Sequence, residues 1–441
     1  MKSRNLLVAA VILVALSGVV YWTQKHPQST TTTSTTPPTP TLAAIPDAQI
    51  QEIDLKKKNN PELTLQRQNG KWAITSPEQV ATDQDAANSV ASALNSITAD
   101  SVVEDKATDL AKFGLKDPSL VVTVHEKNGK TENLQFGDDV PTGSLVYASA
   151  NSNPKVYTVF SSTKTSFDKS LNDLRDKRLL LFDTNNLTSI QLASAKSNIE
   201  FGKNNQNEWQ IVKPQPYRAD NFQVEELLRK LTDAKMDVSG SADDQKKVDA
   251  GYGSGQPVGA AKVTDASGTQ TLDVRKNKDD YYAKSSAVKG VYKISSDLGK
   301  EIEKPLEDFR NKKVFDFGFS DPNKIEVQQG ASDKIFTRTG SDWKLNGQTM
   351  DPGQVQAFID KVRDLAAAKF VTEGFTTATV MMTVTSNDGK RVEKAELAKT
   401  NVGYIARRGS EPALYQLDAK AVNDMLDASN AIKPAASPKK K

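Results

Sequence analysis

The chain has 441 residues, and its 58 Lys and Arg nearly balance its 55 Asp and Glu, leaving a net charge of only +3. That balance excludes a dedicated nucleic-acid binder, which carries a basic excess. Having no cysteine and only two histidines, His26 and His125, it also excludes disulfides, thiolate metal sites, iron–sulfur clusters, thiol catalysis and multi-histidine metal centres.

Lys2 and Arg4 precede an uncharged apolar run from Leu6 to Trp22. As a helix it would span roughly 25 Å, close to a hydrocarbon core of about 30 Å. Leu6, Val11 and Leu16 lie along this run, and Tyr21 and Trp22 end it, where interfacial aromatics belong. Residues 1–27 are therefore expected to form an uncleaved single-pass membrane anchor. The leading basic residues predict a cytoplasmic N-terminus and an extracytoplasmic body. The competing reading is a cleavable signal peptide with Ala15-Leu16-Ser17 as its small-x-small site. The continuation of the apolar run past Ser17 favours the anchor.

Residues 28–46 follow, with eight threonines between Thr30 and Thr41 and prolines at 37, 38, 40 and 46. This composition predicts a disordered, rather stiff linker.

The remainder repeats itself three times, which fits a length of roughly 150 residues per domain. Each copy begins with a β-like stretch leading to a tryptophan: Trp72, Trp209 and Trp343, spaced by 137 and 134 residues. Their recurrence at one place assigns them to a structural core. A polar loop and an amphipathic helix follow each tryptophan. The apolar stripes are Ala87, Val90, Leu94 and Ile97; then Val224, Leu227, Leu228 and Leu231; then Val355, Phe358, Ile359 and Val362. Helix starts are expected at Asp83 or Asp85, at Asp220 or Asn221, and at Asp351 before Pro352.

A turn block comes next: Phe113 to Pro118, then Tyr252-Gly253 with Pro257, then Gly374-Phe375. Each copy continues with a hairpin turning at Asn128-Gly129, Ser267-Gly268 or Asp388-Gly389, followed by two more strands. A closing helix and connector complete the unit. Lys169 to Lys177 aligns without gaps on Lys304 to Lys312, pairing Asp173 with Asp308 and Arg175 with Arg310. Copy three ends at a helix over Lys420 to Ala431 and lacks this connector, leaving residues 434–441 as a frayed basic tail.

The expected fold is α+β, with three tandem modules of antiparallel sheet and two helices each at 47–183, 184–318 and 319–433. The block Phe113 to Pro118, the strand Leu120 to His125, Gly137-Asp138, Tyr147, Val156-Tyr157 and the block Leu171 to Lys177 occur in one order. Together with the apolar N-terminus, they resemble the bacterial family called domain of unknown function 4340. The likeness is best over about 105–183. It implies an exported, membrane-anchored protein without an assigned activity, similar to proteins encoded beside gliding-type ABC-transporter components. The family offers no catalytic residues.

Chemical motifs are sparse. Gly251 to Gly255 follows no strand and lacks a Lys-Ser/Thr pair, so it reads as a turn rather than a phosphate loop. His125, beside Glu126, could serve as a base but has no serine elbow. The acidic pairs at 138–139, 243–244 and 279–280 read as solvated turns. No cofactor or metal is expected. The leading reading is a non-enzymatic scaffold or accessory subunit with protein partners in a membrane complex, of ABC-transporter type. Envelope glycan or peptidoglycan binding is the alternative, and a hydrolase with dispersed carboxylates the remote one.

Overall fold

The computed structural model describes residues 40–436, apart from residues 142, 152, 319 and 410. The expected anchor residues Leu6, Val11, Leu16, Tyr21 and Trp22 lie outside the described residues. Among the described residues no helix is long and apolar enough to cross a membrane.

The first body runs β1 (Thr41–Ala43), β2 (Ile50–Lys57), β3 (Leu63–Gln68), β4 (Lys71–Ser76), α1 (Gln84–Ala93), β5 (Ile97–Thr98), β6 (Ser101–Glu104), β7 (Leu120–Glu126), β8 (Thr131–Asp139), β9 (Leu145–Ala150), β10 (Val156–Phe160), α2 (Ser161–Phe167) and α3 (Leu171–Leu174). The second runs β11 (Ser189–Ser194), β12 (Asn198–Lys203), β13 (Trp209–Lys213), β14 (Tyr217–Arg218), α4 (Asn221–Thr232), α5 (Ala242–Gly253), β15 (Gln256–Asp265), β16 (Gly268–Asn277), β17 (Asp280–Ser285), β18 (Val291–Ile294), α6 (Ser296–Ile302) and α7 (Leu306–Phe309). The third runs β19 (Lys324–Gln329), β20 (Ser332–Thr339), β21 (Asp342–Leu345), β22 (Gln348–Thr349), α8 (Pro352–Asp364), β23 (Lys369–Val371), β24 (Val380–Ser386), β25 (Arg391–Thr400), β26 (Gly403–Arg408), β27 (Leu414–Leu417) and α9 (Ala419–Ala431). The chain divides into two compact units, one up to Asp176 and one from Lys177 onward, which holds the second and third bodies.

The architecture is mixed helix and sheet with antiparallel pairing. The large sheets have the orders β4-β3-β2-β7-β8-β9-β10-β6, β14-β13-β12-β11-β15-β16-β17-β18 and β22-β21-β20-β19-β24-β25-β26-β27-β23. One topology is shared. A first meander runs outward, a helix crosses back, and a second meander begins beside the first strand. The strands ahead of each tryptophan stretch, such as β2 and β3, are additions to the expected elements. Their signal is the alternation Ile53-x-Leu55, Leu63-x-Leu65, Ile190-x-Leu192 and Ile325-x-Val327, all buried on one face.

The crossing helices start at Asp83, Asp220 and Asp351, whose carboxylates accept amide hydrogen bonds from the first turn. Their buried faces are Ala87, Val90 and Ala91; Val224, Leu227, Leu228 and Leu231; and Val355, Phe358, Ile359 and Val362. In the first body the helix stops at Leu94, so Ile97 enters the core from β5 instead. The expectation of two helices per module holds only for the third body. The Lys169-to-Lys177 block breaks into the single turn α3 and an extended Arg175, with ψ 142°. The second body has α5 as an extra helix. The expected turn at Gly251 is therefore the end of α5, where a Cβ on Gly251 would lie 2.5 Å from the Tyr282 ring.

Every body begins with a lead segment of one pattern. Leu42, Ala43 and Ile45 match Leu179, Leu180 and Phe182, and also Val314, Phe315 and Phe317, all buried. Each lead pairs through its backbone with residues just after the crossing helix, as in Ala99 N–H to Pro40 O (2.7 Å), Met236 to Lys177 (2.7 Å) and Ala367 to Lys312 (2.7 Å). Burying one such side chain stabilises by about 1.5–3 kcal/mol, so residues 40–46 belong to the first fold and not to a disordered linker. The same burial moves the module starts from 184 and 319 back to about the connectors themselves.

Every body also ends on a tail that pairs with the residues before its helix cap. Asp83, Asp220 and Asp351 donate their amides to Leu174 O (2.9 Å), Phe309 O (2.8 Å) and Lys433 O (2.8 Å). The backbone bridges are Thr82–Arg175, Ala219–Arg310 and Met350–Pro434. Copy three thus keeps the tail half of the connector, and residues 434–435 are docked rather than frayed. Ile432 is buried there, and Ala435 N–H donates to Thr349 O (2.9 Å).

Candidate functional site

The sequence-derived residues fall into structural positions. Trp72, Trp209 and Trp343 are 2%, 4% and 6% exposed, inside the three cores. Trp72 donates its indole Nε1–H to Asn88 Oδ1 (3.1 Å) and Trp209 to Glu225 Oε1 (2.7 Å). Their amides donate to Gln84 Oε1 (2.9 Å) and Asn221 Oδ1 (3.0 Å), fastening strand to helix. The Phe113-to-Pro118 block is a clasp. Gly114 closes a short 3-10 turn with φ +67°, and Gly137 comes so near that a Cβ would meet Phe113 O at 2.0 Å. Phe113 then packs edge-on against Tyr147, centroids 5.0 Å apart.

The connector residues part company. Asp173 closes a capping box, accepting from Ser170 N (2.7 Å) and Oγ (2.6 Å), and these bonds hold its carboxyl below the usual range. Pro305 replaces that serine in the second copy, so Asp308 has no such box. Arg175 Nε is buried without an acceptor. Arg310 is stacked between two rings, its guanidinium carbon 4.0 Å from the Tyr217 centroid and 3.5 Å from that of Phe370. Burial pulls its pKa down. Tyr217 lies in the second body and Phe370 in the third, so Arg310 bonds the two.

Around Arg310 runs a chain of alternating charges that no local motif announces. Arg391 donates to Glu208 Oε1 (2.9 Å) and also faces Glu393 (3.5 Å). Arg408 donates to Glu393 Oε1 (2.9 Å) and to Glu411 Oε1 (2.9 Å). Arg218 Nε lies 2.7 Å from Glu411 Oε1, and Arg218 donates to Tyr415 Oη (3.2 Å) and to Lys313 O. Tyr415 in turn donates to Glu411. Glu208 and Arg218 belong to the second body and the rest to the third. Along this chain three carboxylates alternate with three guanidinium groups, so each charge in it has an opposite neighbour. Burial together with Glu411 pushes the Tyr415 hydroxyl up to about 12, against the opposing Arg218. Beside this junction opens a polar cleft of roughly 560 Å³, lined among others by Glu208, Asp316, Asp321, Asn323, Arg338 and Arg391.

A second constellation lies on the first body. His125, on β7, stands opposite Glu52 of β2, with Asp54 two residues along the same face. The acidic pairs named from sequence stay local: Asp243 and Asp244 pair with Lys246 and Lys247 on α5, and Asp280 pairs with Lys293.

No curated protein matches this chain. Two crystal structures of the DNA polymerase sliding clamp from Pseudomonas aeruginosa are similar at 7% identity, one of them with ligand. They cover 85% and 84% of this chain and 93% and 91% of their own, with TM-scores of 0.19 and 0.18. A likeness at that level carries no argument. The family described as Domain of unknown function (DUF4340) matches residues 72–208 and 209–384. Both stretches begin at a core tryptophan, so the family repeat is offset from the folded bodies, which begin at their lead segments. Matched twice over most of its length, the chain belongs to the DUF4340 family.

Proposed function

We propose that the protein is a non-enzymatic, membrane-anchored extracytoplasmic scaffold or accessory subunit of a membrane complex, of the ABC-transporter type. The observation that supports this reading is where the chain uses its buried charge. Arg218 and Arg310 of the second body reach Glu411, Tyr415 and Phe370 of the third, and Arg391 of the third reaches Glu208 of the second, which ties these two bodies together. The anchor rests on the Leu6-to-Trp22 run, and the transporter association rests on the family resemblance.

The test is a pull-down of full-length tagged protein from native membranes in mild detergent, with mass spectrometry. Stoichiometric recovery of a permease or ATPase is the expected result. Recovery of the protein alone, reproduced after crosslinking, would overturn the reading. Protease added to spheroplasts checks the topology: the body should be cleaved, and full protection would rule out export.

The polar cleft beside Arg391 favours a second reading, envelope glycan binding. Its hydroxyl, amide and carboxylate lining suits a polyol. The buried tryptophans supply no stacking platform for it. Retention on peptidoglycan that R338A and R391A abolish would put this reading first.

A further inference from the structure

The outward face of the first sheet carries a metal-ligand set that the sequence scatters over more than seventy positions. β2 and β7 are antiparallel neighbours, with Glu52 paired to His125 and Asp54 to Thr123. Residues two apart on a strand share a face, so Glu52, Asp54 and His125 converge. His125 Nε2 lies 3.2 Å from Asp54 Oδ2. One ligand atom from each residue lies within 4.8 Å of the others.

We propose that Glu52, Asp54 and His125 bind a divalent transition-metal ion, with zinc as the reference case. Three considerations carry this. First, charge: two carboxylates and a neutral imidazole sum to −2, and among the described residues neither carboxylate has a lysine or arginine partner. A divalent cation cancels that charge. Second, spacing: donors about 2.1 Å from a zinc ion sit roughly 3.0–3.4 Å from one another along a coordination edge. The 3.2 Å between His125 Nε2 and Asp54 Oδ2 is such an edge. Third, preparation: Thr64 Oγ1 donates to Asp54 Oδ1 (2.6 Å) and Gln66 Nε2 to Glu52 Oε2 (2.9 Å), so the second Asp54 oxygen, Oδ2, faces His125 Nε2 and the second Glu52 oxygen stays available. His125 Nδ1 sits 3.2 Å from Thr131 Oγ1, which fixes the ring with Nε2 toward the carboxylates. All three ligands stand on paired strands, which hold a site more tightly than loops do.

The donor set of one nitrogen and two oxygens selects the metal class. Calcium and magnesium seek six or more oxygens, whereas imidazole suits zinc, nickel, copper and cobalt. The site faces solvent, with the His125 side chain 41% exposed, so water completes the coordination. An open position of this kind admits a further ligand from a partner.

The test uses the full-length chain in mild detergent, stripped with EDTA and titrated with zinc chloride by calorimetry. One ion per chain is expected, with H125A, D54N and E52Q each weakening binding at least tenfold. Circular dichroism of the stripped variants controls for folding. Cobalt(II) gives a readout that needs no variant: ligand-field bands in the visible, displaced by zinc. Absence of saturable uptake at one equivalent would overturn the proposal, as would uptake unchanged in H125A or magnesium binding as tight as zinc. The outcome is independent of the pull-down, because neither result alters the other.

Discussion

Arg310 offers the sharpest test of how the second and third bodies are joined. It is 7% exposed, lies between the rings of Tyr217 and Phe370, and has a buried Nε with no acceptor. Each desolvated cation–π face contributes up to about 2 kcal/mol. Desolvating the guanidinium costs several kcal/mol in the other direction. The charge is therefore close to neutral in net effect, and the filling of the slot between the rings is what stabilises. Arg310→Ala empties that slot and should cost about 2–4 kcal/mol, as large-to-small core changes do. Arg310→Met refills it without a charge, gaining about 0.3–1.5 kcal/mol from sulfur on aromatic faces, and should stay within about 1 kcal/mol of wild type. Hydrogen exchange over residues 217–218 and 369–371 reads this locally. At 1.4 kcal/mol per tenfold, Arg310→Ala should speed exchange there by roughly 30- to 800-fold, and Arg310→Met by less than about tenfold. If methionine proves as damaging as alanine, the charge itself holds the joint and the reasoning fails.

Three further outcomes follow from the geometry. Tyr415 titrates near 12 in the fold against about 10 unfolded, so its neutral form stabilises the junction fully below pH 10 and that contribution is lost as pH rises toward 12; urea midpoints at pH 8 and 11 should converge less in wild type than in Tyr415→Phe, which removes this slope. Burial disfavours the ionised Glu132, but its bonds from Lys130 and Asn151 outweigh that and hold its carboxyl low, so its contribution is present above its ordinary pKa of 4.5 and lost in more acid solution; Glu132→Gln should flatten the acid limb of first-body stability, and an unchanged limb would refute the assignment. Deleting residues 432–441 removes the buried Ile432 and the bonds Lys433 and Ala435 make, which together should cost about 2–4 kcal/mol in urea denaturation of the third body; a loss within about 0.5 kcal/mol would restore the picture of a loose tail.

What could be read from the sequence was whatever recurs within a few residues. The stripe Val224, Leu227, Leu228, Leu231 and the hairpin at Asn128-Gly129 each fix one element by local spacing, and the structure has both. The lead segments were harder. Leu179 to Phe182 stands out as an apolar run, but Leu42, Ala43 and Ile45 are diluted by threonine and proline on either side, and composition alone assigned them to a linker. The tail at Lys433-Pro434 has no side-chain signature, because it docks through its backbone. The charge chain was out of reach for another reason. Arg218 and Glu411 meet only because the second and third bodies share one unit, a fact carried by no periodicity. The Glu52, Asp54 and His125 cluster likewise depends on β2 lying beside β7, a pairing set by strand order rather than by any spacing along the chain.

The tails also set a schedule. Ala219 waits for Arg310, and Met350 for Pro434, roughly ninety residues later in the chain, so contact order within each body is high. A ribosome releasing the chain from its N-terminal end leaves the second sheet without its last backbone partners until residues 310 and 311 emerge. The next residues to appear, 312 to 317, are the lead of the third body. Closure of one body and nucleation of the next thus occur within a single stretch of about eight residues, which orders folding from one end and leaves little time in which strands of neighbouring bodies could pair in the wrong combination.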